Sequence, residues 1–132
     1  MLWALVVLLL STMPGEKVSE IPFMQISNMD KVGHFMLYFV FTNLLLSDLS
    51  RFKGKAFSWK QTILYSMVLA MFHGGMMELL QEIRSLHRST DIRDFLANSV
   101  GAFTAVLLYK YVAVFLNKIQ SVFIKPGNNY FL

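Results

Sequence analysis

Three apolar runs, 32–49, 58–80 and 95–116, constrain this chain more than any other feature, because each approaches or reaches the roughly 20 residues that a helix needs to cross a bilayer. Polar or charged residues bound each run. Lipid offers no hydrogen bonds to an exposed backbone, so such runs fold as helices and pack as a bundle. The remaining composition agrees: 55% of the 132 residues are hydrophobic and 15% charged, where a soluble domain carries about a quarter charged residues. The length allows one domain, 1–132, with no linker, low-complexity stretch or internal repeat. There is no cysteine, which excludes disulfides, thiolate metal sites and cysteine nucleophiles.

The opening run, 1–13, is apolar apart from Ser11 and Thr12. It spans only about 20 Å as a helix at 1.5 Å per residue. No basic leader and no small-x-small pattern precedes Pro14, so a cleaved signal peptide is the weaker reading. A first helix that is short, or clipped by a late start codon, is expected, giving about four transmembrane helices in all.

Loop charges set the orientation. Arg51, Lys53, Lys55 and Lys60, with Lys110, Lys118 and Lys125, place seven basic residues on one side, against Lys17, Lys31, Arg84, Arg88 and Arg93 on the other. The bias puts the 50–57 loop and both termini, including a tail over 117–132, in the cytoplasm. Seven of the eight acids fall on the outer side, which acids do freely because they contribute little to orientation. The net charge of +4 lies in these short loops rather than in a basic face, so nucleic acid is not an expected partner.

Polar residues within spans are costly and default to a site or to helix contacts. In the second span Asp30, His34, Tyr38 and Thr42 recur every four residues as one stripe, with Lys31 beside it. The third span ends with Glu78 and Gln81 on a shared face, and the fourth begins with Asp91, Asp94, Asn98 and Gly101, preceded by a loop carrying Arg88. Under the charge-derived topology all three groups lie near the extracytoplasmic face.

These residues resemble the VanZ-like membrane proteins. The sequence Asp30-Lys31-Val32-Gly33-His34-Phe35 with Tyr38 is similar to the family's opening motif. Glu78, Gln81, Arg88, Asp91, Asp94, Asn98 and Gly101 follow in the family's order, so the resemblance covers 30–101. Pro14-Gly15 after the first apolar run is similar too, while the abbreviated first helix departs from the pattern. The resemblance implies a small polytopic protein of bacterial membranes, from a family whose namesake is linked to teicoplanin resistance. It implies no reaction, since a fold does not fix a function.

Several residues carry competing readings. Asp91 is either a catalytic carboxylate or a helix cap, and Asp94 is the likelier of the two acids to face inward, because Asn98 and Gly101 extend its face. Gly101, with Ala97 and Ala105, forms a small-residue stripe suited to close helix approach. His34 is a general base, a metal ligand or a structural partner of Asp30 one turn earlier, and no histidine pair or ligand trio supports the metal. His73 faces away from Glu78 and is expected to bond a neighbouring helix. Glu78, at the end of an apolar run, needs protonation, an interfacial position, or a cation such as Lys31, Arg84 or Arg88. No phosphate loop, nucleotide motif, nucleophile elbow or zinc-protease motif occurs, and no cofactor is expected.

The sequence therefore predicts an all-α transmembrane bundle with a polar pocket at its extracytoplasmic face. Asp30, Lys31, Tyr38, Gln81, Arg88, Asp91 and Asn98 are the expected ligand-binding residues, and His34, Glu78 and Asp94 the candidates for catalysis. Membrane lipids, and a lipid-linked cell-wall precursor or glycopeptide, are the expected partners in a bacterial inner membrane. The rival reading is an intramembrane hydrolase or transferase acting on a lipid-linked substrate.

Overall fold

The computed structural model describes residues 2–11, 22, 28–51, 58–84 and 92–123. Four helices contain almost all of them: α1 (Leu2–Ser11), α2 (Met29–Arg51), α3 (Trp59–Arg84) and α4 (Ile92–Phe123). Three of these, α2, α3 and α4, are long and apolar enough to cross a membrane. Helix α1 has 10 residues, a rise of about 15 Å against a hydrocarbon thickness of about 30 Å.

Local chemistry sets the helix starts. At α3, the backbone N–H of Ser58 donates to Gln61 Oε1 at 2.8 Å and the N–H of Gln61 donates to Ser58 Oγ at 3.4 Å, a reciprocal capping box. At α2, Asn28 takes a positive φ of 64°, which asparagine tolerates, and its carbonyl accepts from Val32 N–H. Asp30 and Asp94 stand in the first turns of α2 and α4, where a negative charge meets the positive end of the helix dipole. Helix α4 runs on to Phe123, so the expected tail from 117 begins inside a helix.

Helices α2 and α4 run parallel, and α3 runs antiparallel to both. Lys31 and His34 meet Asp94 and Asn98 at one end, and Leu46 packs with Tyr109 and Ala113 toward the other. Midway, Tyr38 meets His73 of α3. The α2–α4 contact is the most extensive in the bundle, and at Gly101 the two backbones come close. A Cβ built on Gly101 would overlap the Phe35 carbonyl oxygen and lie 3.2 Å from Phe35 Cα. The expected small-residue stripe is thus seen in part: Gly101 and Ala105 are buried with Ala102 and Ala113, while Ala97 is only half-buried.

The core is built mostly of alanines and aromatic side chains rather than of large aliphatic ones. Val7 of α1 is fully buried against Tyr38, Phe41, Ala70 and Ala102, and Trp3 Nε1 donates to the Leu37 carbonyl at 3.3 Å. Phe72, Leu107 and Tyr111, by contrast, are exposed, while Thr62, Ser66 and Asn98 are buried. Apolar outside with polar inside is the arrangement lipid favours, where packing and interhelical hydrogen bonds, not hydrophobic burial, hold helices together. Helix length and this inversion together define a polytopic helical membrane protein.

Candidate functional site

The starts of α2 and α4 bring a set of polar groups to one end of the bundle. Lys31 Nζ lies 2.9 Å from Asp30 Oδ2 and 3.4 Å from Asp94 Oδ1, so its ammonium joins two carboxylates. Asp94 is 2% exposed and also faces His34, whose Nε2 stands 3.7 Å from Asp94 Oδ2. The other ring nitrogen, Nδ1, lies 3.1 Å from Asn98 Oδ1. A carbonyl oxygen only accepts, so this contact is a hydrogen bond in the tautomer that carries its proton on Nδ1. Both His34 nitrogens therefore face protein groups.

Asn98 is the unusual member. It is 2% exposed, and its amide nitrogen has no hydrogen-bond partner among the described residues. Beside it stands Gly74 of α3, where an added Cβ would lie 3.5 Å from Asn98 Nδ2 and 3.4 Å from the Tyr38 ring. Glu78 is buried one turn farther along the Gly74 face. Because α3 is antiparallel to α2 and Gly74 is level with Tyr38, Glu78 comes level with His34. Glu78 thus reaches the same end of the bundle.

Tyr38 forms the floor of this region. Its hydroxyl lies 2.9 Å from His73 Nδ1, and its ring meets Phe41 edge-on with centroids 6.0 Å apart. Phe41 in turn lies 5.0 Å from the His73 ring. The helix-to-helix bond expected of His73 is present, and its partner is the very tyrosine of the α2 stripe.

Set against the sequence reading, Asp30, Lys31, His34, Asp94 and Asn98 come together, with Tyr38 and Glu78 in the adjoining turns. The structural pairing of His34 with Asp30 is replaced. His34 turns across to Asn98 and Asp94 on α4, while Asp30, near the surface, takes Lys31. Arg88 and Asp91 lie outside the described residues, as does the side chain of Gln81, whose backbone belongs to α3. No three histidine, aspartate or glutamate side chains gather as metal ligands among the described residues. Sequence reasoning passed over two features: the approach of Gly74 to Asn98, and the buried hydroxyls of Thr62 and Ser66. The signal for both was the four-residue recurrence Thr62, Ser66, Ala70, Gly74, Glu78.

A polytopic helical membrane protein with a buried polar cluster where α2 and α4 begin is the class that fold and site define. The family described as VanZ/LLP1 matches residues 1–116, and the chain belongs to it. Neither the curated proteins nor the solved structures contain a match to the chain.

Proposed function

We propose that this VanZ-family protein binds the oxygen-rich polar head group of an envelope lipid or glycopeptide at the end of the bundle where Lys31, His34, Asp94 and Asn98 meet. The observation that carries this reading is the buried Asn98 amide nitrogen without a hydrogen-bond partner. A buried donor left unmet costs about 1–3 kcal/mol, and a phosphate, carboxylate or carbonyl oxygen of a head group recovers that cost. Asp30 and Asp94 hold Lys31 at the rim, where its ammonium offsets negative charge on the ligand. Loop charge supports a bacterial inner membrane protein with its 50–57 loop and C-terminus in the cytoplasm, which turns this end of the bundle to the extracytoplasmic side. A head group there meets lipid-linked wall precursors and glycopeptides, the setting in which resistance to teicoplanin arises.

The second reading is an intramembrane hydrolase or transferase, and the approach of His34 to Asp94 favours it. Binding is placed first because the unmet Asn98 amide is a recognition group that takes no part in a general-base step, which in the rival reading falls to His34 or Glu78.

Asn98→Asp keeps an oxygen for His34 and removes the amide donor, so it separates these readings. In a bacterial host at matched membrane abundance, the variant is expected to alter teicoplanin susceptibility while the lipid and wall-precursor pools stay as in wild type. A changed pool would instead identify an enzyme and name its substrate. Unchanged susceptibility with unchanged pools would sink the link to glycopeptides.

A further inference from the structure

His34 sits between two acceptors. Its Nδ1 lies 3.1 Å from Asn98 Oδ1 and its Nε2 stands 3.7 Å from Asp94 Oδ2, with the residue only 9% exposed. A neutral imidazole has one N–H, so it serves one of these oxygens and turns a ring lone pair to the other. The imidazolium has two and serves both.

Of the two acceptors the carboxylate is the stronger, because hydrogen bonds to an ionised oxygen are roughly twice as strong as those to a neutral one. Neutral His34 therefore keeps its proton on Nε2, toward Asp94, and faces Asn98 with a bare Nδ1. An amide oxygen against that lone pair is repulsive, and a half-turn of the Asn98 amide relieves it by bringing Nδ2 to Nδ1 as a donor. Amide nitrogen and oxygen are nearly alike in size and place, so the half-turn moves neither helix. It does reverse what Asn98 offers. With Oδ1 on His34, Nδ2 is the buried donor without a partner, beside Gly74 and the Tyr38 ring. With Nδ2 on His34, an oxygen stands in its place and repels the oxygen of a head group.

We infer that head-group binding is coupled to proton uptake at His34: the imidazolium fixes Asn98 with its amide nitrogen open to the ligand, and neutral His34 closes the site by turning the amide. Where His34 starts neutral, one proton is taken from water for each head group bound and returned on release. The inference rests on the head-group reading and adds its control. Asp94 of α4, Asp30 and Lys31 of α2 and Glu78 of α3 share this end of the bundle, and α1 brings no titratable side chain to it. A response to acid therefore has to be traced to the imidazole rather than to these carboxylates.

The full chain in detergent is titrated with isotope-labelled phosphatidylglycerol at about pH 7.5 and about pH 5.5, which span the ordinary histidine range. The phosphodiester of this lipid keeps its charge throughout. Wild type is expected to bind about tenfold more tightly at the lower pH, the effect of gaining one buried hydrogen bond, and His34→Gln, which takes up no proton, is expected to lose that difference. Equal wild-type binding at both pH values overturns the coupling and leaves the head-group reading standing. A response that survives in His34→Gln belongs to the carboxylates and overturns the coupling too, while no binding at either pH overturns both readings.

Ring-nitrogen resonances of wild type labelled with ¹⁵N-histidine decide the matter even if the variant fails to fold. Coupling is reciprocal, so lipid that binds the protonated form also promotes protonation. At about pH 7.5 the histidine that responds to added phosphatidylglycerol is expected to carry its proton on Nε2 alone before the lipid and on both nitrogens after it. A proton on Nδ1 alone in the lipid-free protein, or no responding histidine, overturns the inference.

Discussion

Gly101→Val is expected to cost the protein its folded bundle. Even the first carbon of a side chain at this position would overlap the Phe35 carbonyl oxygen and crowd the Phe35 Cα at 3.2 Å. The atoms in the way are backbone, which cannot swing aside as a flexible side chain does. Relief requires α2 and α4 to separate along the largest contact in the structure, which would also part His34 from Asn98. Overpacking a core commonly costs about 1–3 kcal/mol, and an immovable helix backbone puts valine at or above the top of that range. Gly75, one residue beyond the buried Gly74, is the internal control. A Cβ there meets nothing within 4 Å, so Gly75→Ala is expected within about 0.5 kcal/mol of wild type. Unfolding in mixed micelles as denaturing detergent is titrated in checks both. Equal stability of the two variants would mean that the α2–α4 seam yields where the geometry says it cannot.

The second large effect is expected at Asp94. Its carboxylate is 2% exposed and stands between the Lys31 ammonium and the His34 ring. Removing one partner from a buried ion pair leaves the other charge uncompensated, at about 3–5 kcal/mol. Lys31 keeps Asp30 and is 23% exposed, so Asp94→Asn is expected near the lower end, about 3 kcal/mol. Pairing it with Lys31→Met removes both charges, and the double variant is expected to be more stable than Asp94→Asn alone. Strict additivity of the two substitutions in the same titration would show that Lys31 and Asp94 do not interact.

The membrane-spanning helices were legible because lipid imposes a simple demand on length and polarity. The runs 32–49, 58–80 and 95–116 became α2, α3 and α4, and each helix extends past its apolar run. The extensions carry polar residues that gain partners on the bundle: Asp30 and Lys31 begin α2, and Asp94 lies in the first turn of α4. Periodicity also gave the inward stripe, since His34, Tyr38 and Thr42 are all buried.

Partners across helices were less legible, because one-helix periodicity contains no information on the rotation of a neighbour. From α2 alone Asp30 is the natural companion of His34, one turn away. The close approach permitted by Gly101 instead brings Asn98 and Asp94 nearer to both ring nitrogens. The same limit hid the unmet amide of Asn98, which lies beside Gly74 on a third helix. The hydroxyls inside the bundle were less legible for another reason: a hydroxyl on a helix usually bonds its own backbone, and only packing reveals that those of Thr42 and Ser66 have no partner among the described residues.

Native mass spectrometry of the detergent-released protein, titrated with phosphatidylglycerol, tests head-group binding at Asn98 most directly. Wild type and Gly75→Ala are predicted to retain lipid adducts at activation energies that strip them from Asn98→Asp. Equal retention by wild type and Asn98→Asp, with both proteins folded, would contradict the assignment of the α2–α4 end cluster as a head-group site.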